Sequence, residues 1–464
     1  MGKSAFIVLY FALAIFSKVP LLAQEIMVEN ESPEIIISKG LTFLSESQQK
    51  ETIGFNYFKG EWGSYIKNTN YFPLFIKKGK SAYDSNCFTT TSVHNLLAEI
   101  YLNYPNFEII PSMLEPAMEN ILLYQSNSTF NFWHNLPSVN PIQRSKHVEN
   151  NQKYMQHRPN NFIFKSKFMN KCANICNDAD DTALGFMALK LNNQVKNKLM
   201  LDSAFLVPDS IGHYFSRYRN LKRKKTHYYN FFFGKKKYLK GTFCTWFGEE
   251  TPFTGISFLP FSSRQNQYIP YNSNEVDCIV NANILLALSH FGELNTPGVK
   301  EAVIMLKNNL LTSNCNYCGI YYPSEFTLHY IISQLIAQGM TDFEDYIPVM
   351  VDRLTKNQRD DGTWRTKIKG NELQVTLYAL IALLNIDQVE KHNTLPFIEK
   401  SMNFILNQAI ENENQVHWPG GVFFSGGTVI RDSFLWRSDA VTTALALTAI
   451  LKYNELKTKR EVKQ

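Results

Sequence analysis

What most constrains this chain is a recurring unit of two helical stretches around a turn rich in Gln, Gly and Trp. Ile35 to Gln49 has helical periodicity, leads into Gly60-Glu61-Trp62-Gly63, and is followed by a second helical stretch from about Thr89 to Tyr104. The order returns at Ile347 to Asn357, with the turn Gln358-Arg359-Asp360-Asp361-Gly362-Thr363-Trp364 and a helix from Glu372 to Leu384. It returns again at Leu395 to Gln408, with His417-Trp418-Pro419-Gly420-Gly421 and a helix from Ser438 to Tyr453. Weaker copies place helices near 112 to 125, 196 to 215 and 297 to 311 before helices near 178 to 191, 275 to 290 and 324 to 338. Antiparallel hairpins that each need a neighbour to bury an apolar face can close into an inner circle of helices inside an outer one. The expected fold is therefore all-α, an (α/α)6 toroid of six hairpins in a single ring. It spans residues 33 to 455 of a domain running from 25 to 464, with an insertion at about 214 to 272 that hangs off one end.

In such a ring the inner helices start at one end, and here they start with acids. Asp178, Asp180 and Asp181 open one, and Glu275 and Asp277, Glu325, Glu372 and Asp439 open others. Acids are favoured at any helix start, because the helix dipole and free N–H groups stabilise negative charge. An acidic rim above apolar or aromatic side chains is also a common form of small-molecule site. The densest cluster is Asn177-Asp178-Ala179-Asp180-Asp181-Thr182-Ala183-Leu184, and Leu184, Met187, Ala188 and Leu191 behind it form one apolar helix face. Asp178 reads as the N-cap and Asp181 as its N3 partner in a variant of the capping box. Asp180 is left without a structural role. If the turn is buried at the end of a cavity, three like charges cannot all ionise cheaply, and one carboxyl keeps its proton as an available acid.

With 464 residues, 44% hydrophobic and 14% aromatic, the chain can bury a large core. Residues 1 to 24 read as a secretory signal, with Lys3 as the positive start, Ala5 to Phe16 as the apolar run and Leu22-Ala23-Gln24 as the cleavage region. Twelve apolar residues are short for a bilayer span, so a periplasmic or extracellular location is expected, with a retained membrane anchor as the alternative. The seven cysteines leave at least one unpaired; Cys172 with Cys176, or Cys315 with Cys318, have the spacing of local disulfides. The same pairs have zinc-like spacing but lack a regular second half, so no metal is assigned.

The stretches Gln358 to Trp364 and Gln49 to Trp62 resemble the Gln-Trp repeats of squalene and hopene cyclases and the related α/α toroids of protein prenyltransferases. In such repeats the Gln side chain and Trp ring tie one hairpin to the next. Asp178-Ala179-Asp180-Asp181-Thr182-Ala183 is similar to the Asp-x-Asp-Asp motif of class II terpene cyclases, including the Thr-Ala that often follows. The resemblance implies an isoprenoid or other apolar substrate and no cofactor. It makes Asp180 the proton donor to an alkene or epoxide, with Asp178 and Asp181 orienting it and stabilising the charge left behind. An isolated alkene is a very weak base, so the donor must be a desolvated, strongly hydrogen-bonded carboxylic acid. The carbocation that forms is shielded from water and steadied by aromatic faces. Phe130, Phe132, Trp133, Phe243, Trp246, Tyr321, Tyr322, Phe434 and Trp436 lie near hairpin turns, most of them expected in the core. His290 and His329 are candidates to support the acid, as a His or Tyr does in the family. The chain departs from the family in holding one ring where class II cyclases enclose the chamber between two, and in carrying an export signal.

A further segment stands apart. Arg217, Arg219, Lys222, Arg223, Lys224 and Lys225 precede Tyr228-Tyr229-Asn230-Phe231-Phe232-Phe233, and Lys235, Lys236, Lys237 and Lys240 follow it. The net charge of +6 is less than these ten cations contribute, so the remainder is slightly acidic. The segment 217–240 suits an anionic membrane surface, a substrate diphosphate or plain solvation. Nucleic acid is not assigned, since an exported protein seldom meets it. Two other functions fit a toroid: a carbohydrate-active enzyme using rim carboxylates, and a non-catalytic ring binding lipid, glycan or protein. A metal-dependent prenyl transfer would need Asp277, Cys278 and His329 brought together, against a reading of core Cys and capping Asp. An apolar, aromatic cavity under Asp180 separates cyclisation from these; a shallow wet groove points to glycan or protein.

Overall fold

The computed structural model describes residues 32–69, 79–138, 155–163, 173–202, 205–221, 240–248, 261–262, 267–269, 275–312, 319–389, 393–427 and 432–462. Among them lie twelve α-helices: α1 (Pro33–Ser47), α2 (Cys87–Asn103), α3 (Ile110–Leu122), α4 (Ala179–Lys198), α5 (Gly212–Ser216), α6 (Cys278–Phe291), α7 (Val299–Leu311), α8 (Thr327–Ala337), α9 (Ile347–Asn357), α10 (Glu372–Val389), α11 (Leu395–Asn407) and α12 (Asp439–Glu461).

The even-numbered helices pack in a closed circle: α2 on α4, α4 on α6, α6 on α8, α8 on α10, α10 on α12, and α12 back on α2. Outside them, α1 lies on α12, α3 on α2 and α4, α7 on α6, and α9 and α11 on α10. The sequence explains the division. Outer α9 buries Ile347, Met350 and Leu354, a single stripe at three- and four-residue steps. Inner α10 is buried continuously from Leu373 to Asp387, because it has neighbours on every side. Four outer helices, α1, α3, α9 and α11, carry Pro in their first turn, where its missing N–H would have had no helical partner.

Three turns hold the hairpins together in the same way. The indole N–H groups of Trp62, Trp364 and Trp418 donate to the carbonyls of Leu44 (2.8 Å), Leu354 (2.8 Å) and Ile405 (2.7 Å). Each acceptor lies in the last turn of the preceding outer helix, where carbonyls have no helical partner. The Gln48 side-chain amide donates to the Met113 carbonyl at 2.9 Å, and that of Gln358 to the Phe397 carbonyl at 2.8 Å, so each reaches the first turn of the next outer helix. The working glutamine of the first turn is thus Gln48, one residue before the expected Gln49. Gly60 and Gly362 have φ of +85° and +82°, and a Cβ on either would lie 1.9 Å from the Pro116 carbonyl oxygen or 2.4 Å from that of Lys400. Both positions therefore require glycine.

The fold is mainly helical rather than all-α. Strands β1 (Ser64–Asn68) and β2 (Ser81–Asp84) join β3 (Val422–Gly426) and β4 (Phe434–Arg437) in a four-stranded antiparallel sheet of order β3-β4-β1-β2. Its register, Tyr65 opposite Arg437 and Lys67 opposite Leu435, links the last hairpin to the first. Four two-stranded sheets complete the strands among the described residues. The helix expected at 196 to 215 is also revised. Inner α4 runs on to Lys198, whose ammonium reaches the Leu102 carbonyl at 2.7 Å, and the outer position holds only the five residues of α5. Nor does the whole segment 214 to 272 hang free: Phe243, Thr245 and Trp246 are buried. Arg219 is tied to Glu301 and to the Gly241 carbonyl, both at 2.8 Å, and Arg217 lies over the Tyr218 ring. Lys240 is exposed, while Lys222 to Lys237 lie outside the described residues, as does the expected signal at 1 to 24. Among the described residues no helix is long and apolar enough to cross a membrane. Cys176 is free, as are Cys87 and Cys244, so the expected Cys172–Cys176 bridge is not formed; Cys278 is disulfide-bonded. Cys315 and Cys318 lie outside the described residues.

Candidate active site

The acidic turn opens α4. Asp178 is the N-cap, in extended conformation, and its Oδ1 accepts the N–H groups of Asp180 (3.0 Å) and Asp181 (2.8 Å). The reciprocal half of a capping box is missing, because the Asp178 N–H is taken by the Phe130 carbonyl at 3.2 Å. Asp181 instead faces Asp178 and the Cys87 thiol. Two connecting segments cover the turn: the Thr182 hydroxyl accepts the Phe130 N–H at 3.0 Å, and the Ala179 N–H donates to the Thr245 carbonyl at 2.8 Å.

Asp180 is held from the neighbouring inner helix α6 and from the segment that leads into α8. The Asn283 amide of α6 donates to its Oδ1 at 2.7 Å, the Tyr322 hydroxyl donates to its Oδ2, and Asn283 also reaches that hydroxyl at 3.1 Å. Burial pushes the Asp180 carboxyl up to about 8; the two donors pull against this, and the charges of Asp178 and Asp277 add to it. Asp178 and Asp181 are raised as well, first by burial, with Asp181 raised further by Asp178 and Asp180. Three buried carboxyls within one helical turn thus favour retained protons, as a low-dielectric cluster of like charges requires.

The three acids line a cavity of about 820 Å³, counted out to its open mouth. Its walls are otherwise almost wholly apolar: Ile66, Phe132, Trp133, Ile175, Trp246, Val280, Tyr321, Phe424, Phe434 and Trp436. Ring packing runs continuously through this wall, from Trp246 to Tyr321 (5.8 Å between centroids), Phe424 (5.8 Å), Trp436 (5.5 Å), Phe132 (5.5 Å) and Trp133 (5.3 Å). Asn283 and Tyr322 line a second cavity of about 630 Å³, together with Phe88, Leu96, Leu184, Met187, Leu286 and Leu445. The residues that hold Asp180 therefore belong to one cavity and its carboxyl to the other.

The remaining candidates divide. Tyr321 and Trp246 donate to Glu275 Oε2 at 3.0 and 3.2 Å, which makes that acid an anchor of the wall; burial raises its carboxyl well above the usual range. Asp277 caps α6 through Ile279 (2.7 Å) and Val280 (3.1 Å), and its other oxygen takes the N–H groups of Ile320 and Tyr321. With both Asp277 oxygens engaged and Cys278 in a disulfide, Asp277, Cys278 and His329 do not form a donor set. Phe130 and Phe243 are core, with no exposure. His290, on the last turn of α6, pairs with the Gln338 amide at 2.8 Å, and the supporters found at Asp180 are Asn283 and Tyr322 rather than His290 or His329. Glu325 precedes α8 without capping it, Glu372 lies in the first turn of α10, and Asp439 is exposed. Asn283 was missed from sequence, although the two asparagines Asn281 and Asn283 inside an otherwise apolar buried helix were its signal. Asp84, which accepts the indole N–H groups of Trp436 (2.8 Å) and Trp133 (3.2 Å), was missed entirely.

No family model matches the chain, and no curated protein matches it. Solved structures do. A variant of the type II terpene cyclase MstE from Scytonema, in complex with geranylgeranyl dihydroxybenzoate as substrate, superposes over 90% of this chain and 97% of its own, with a TM-score of 0.50 and 15% identity. Another variant of MstE, in its apo form, gives 0.51 at 14% identity over 90% and 96%. A protein from Actinoplanes gives 0.53 at 11% identity over 91% and 99%. The chain thus shares the fold of a type II terpene cyclase along nearly its whole length.

Proposed function

We propose that this protein is a class II terpene cyclase-like enzyme on an (α/α)6 toroid, cyclising an isoprenoid chain by protonation, with Asp180 as the acid. The observation that carries this reading is a buried carboxyl facing an apolar, aromatic cavity with both of its oxygens held by donors. The Asp180 proton passes to an alkene carbon of the substrate, whose π electrons form the new C–H bond. The cation on the adjacent carbon is attacked by the next alkene, closing a ring, and loss of a proton ends the sequence. Asn283 and Tyr322 stabilise the carboxylate left behind, and Asp178 fixes the turn through the Asp180 N–H. The aromatic wall steadies the cation and keeps water out.

The Asp-x-Asp-Asp reading of residues 178 to 181 supports the same roles. An apolar cavity is a poor match for a polyhydroxylated glycan, which weighs against a carbohydrate-active enzyme. In the same proposal the protein is exported, and the basic, aromatic segment 217–240 brings it to an anionic membrane surface where polyprenyl chains reside. A geranylgeranylated aromatic of the kind bound by MstE and free polyprenyl compounds are the first substrates to try. Incubation of purified protein should give cyclised products by mass spectrometry, and Asp180→Asn should lower turnover by about 10²- to 10⁴-fold. Turnover that survives this change means that the acid is another group.

A further inference from the structure

Asp84, at the end of β2, is buried and does not line the cavity, yet it touches two residues that do. Its Oδ2 accepts the indole N–H groups of Trp133 and Trp436 and the Asn86 amide at 3.2 Å, while its Oδ1 has no partner among the described residues. A carboxylate bonded to the N–H edge of an indole pushes electron density into the ring, and in a low-dielectric interior its field is felt beyond the ring. Among the described residues no cation pairs with Asp84 to cancel that field; burial raises its carboxyl to about 6, with Trp436, Trp133 and Asn86 pulling against this, so it is ionised at pH 8. Glu275 accepts from Trp246 and Tyr321 at the other end of the same wall, but its carboxyl is raised well above the usual range by burial, so the resemblance is one of orientation and not of charge.

We propose that Asp84 is a positioning residue that orients Trp133 and Trp436 by their N–H groups and charges their faces, making the cavity select a hydrophobic cation over a neutral molecule of the same shape. This rests on the reading of the cavity as a chamber for carbocations, and it goes beyond that reading by naming the source of the cation preference. Binding can be measured without turnover. Tryptophan fluorescence titrations at pH 8 with octyltrimethylammonium and with the neutral octyl tert-butyl ether should show the cation bound more tightly by wild-type protein. Asp84→Asn keeps an acceptor for the indoles but removes the charge, and should cut the cation preference by about fivefold while moving the ether's affinity by less than about twofold. Asp84→Glu should restore much of the preference.

If Asp84→Asn does not fold, Trp436→Phe keeps a ring and cuts its link to Asp84, and the same loss of preference is expected. Equal loss of both ligands would reduce Asp84 to a packing role. An unchanged preference, or no preference in the wild type, overturns the proposal. Failure here is distinguishable from failure of the cyclase reading, because Asp180→Asn protein should keep the preference while losing turnover.

Discussion

The turns of the ring fall into two groups built from the same unit. Those after α1, α9 and α11 each place a Trp on the last turn of the preceding outer helix, and the first two add a Gln that reaches the next outer helix. The segments that lead into α4, α6 and α8 instead fold over the end of the circle, bringing Phe130, Thr245 and Tyr322 onto the acidic turn. A helical hairpin therefore does different work according to its connection. The connections that carry a Trp fix the ring, while those leading into α4, α6 and α8 supply the chamber roof and, through Tyr322, part of the hold on the acid. The two sets meet where Phe424 and Trp436, from the sheet that closes the ring, complete the aromatic wall.

The largest effect that separates the two groups is one of stability. Gly362→Ala forces a side chain into a left-handed conformation and against the Lys400 backbone, and should lower stability by about 2 to 4 kcal/mol in thermal or urea unfolding. Gly370, with φ of +76° but nothing within 4 Å of a Cβ, is the control and should cost about 1 kcal/mol. Whatever activity Gly362→Ala retains should keep the wild-type pH profile. A displaced profile would show that the fixing turns also set the acid, and the division would fail.

Tyr322→Phe should do the reverse, sparing the fold and moving the chemistry. Asp180 works in its protonated form, so turnover should fall as pH rises through about 8. The Tyr322 hydroxyl favours the ionised carboxylate and pulls the acid down. Its removal should therefore shift the alkaline limb of kcat/KM to higher pH, and the loss of support for the carboxylate should lower the plateau about tenfold. A limb that stays in place or moves to lower pH would mean that Tyr322 does not act on the reacting acid.

The same division explains what could be read from the sequence. Helices α1, α9 and α11 and the turns behind them were legible because the periodicity and the Trp are local signals, and the single error, Gln49 for Gln48, is a one-residue slip at a helix end. The capping role of Asp178 was legible for the same reason, whereas the burial of Asp180 was only a condition of the reading, since the segments that cover it come from Phe130 and Thr245. The partners of Asp180 were not legible: Asn283 is 103 residues away and Tyr322 142, and only the packing of α4 against α6 and of α6 against α8 brings them together. His290 was a natural candidate by its place near an inner helix, but it lies on the last turn of α6, whereas Asn283 lies in the first half of that helix. The extent of α5 was misjudged because α4 continues through Asn192 and Val195, both still buried, and takes the residues expected to begin the next helix.

The smallest effect tests whether acids at helix starts are equivalent. Asp439 begins α12 as Asp180 lies at the start of α4, but it is exposed, the cap is Ser438, and its Oδ1 accepts the Gly420 N–H at 2.6 Å. That hydrogen bond holds a loop of the fixing group, with solvent ready to replace it. Asp439→Ala should cost about 0.5 to 1.5 kcal/mol in unfolding and change turnover by less than about twofold. If turnover instead fell as it does for Asp180→Asn, acids around the whole rim would be acting on the substrate, and the contrast between a fixing group and a chemical group of turns would have to be given up.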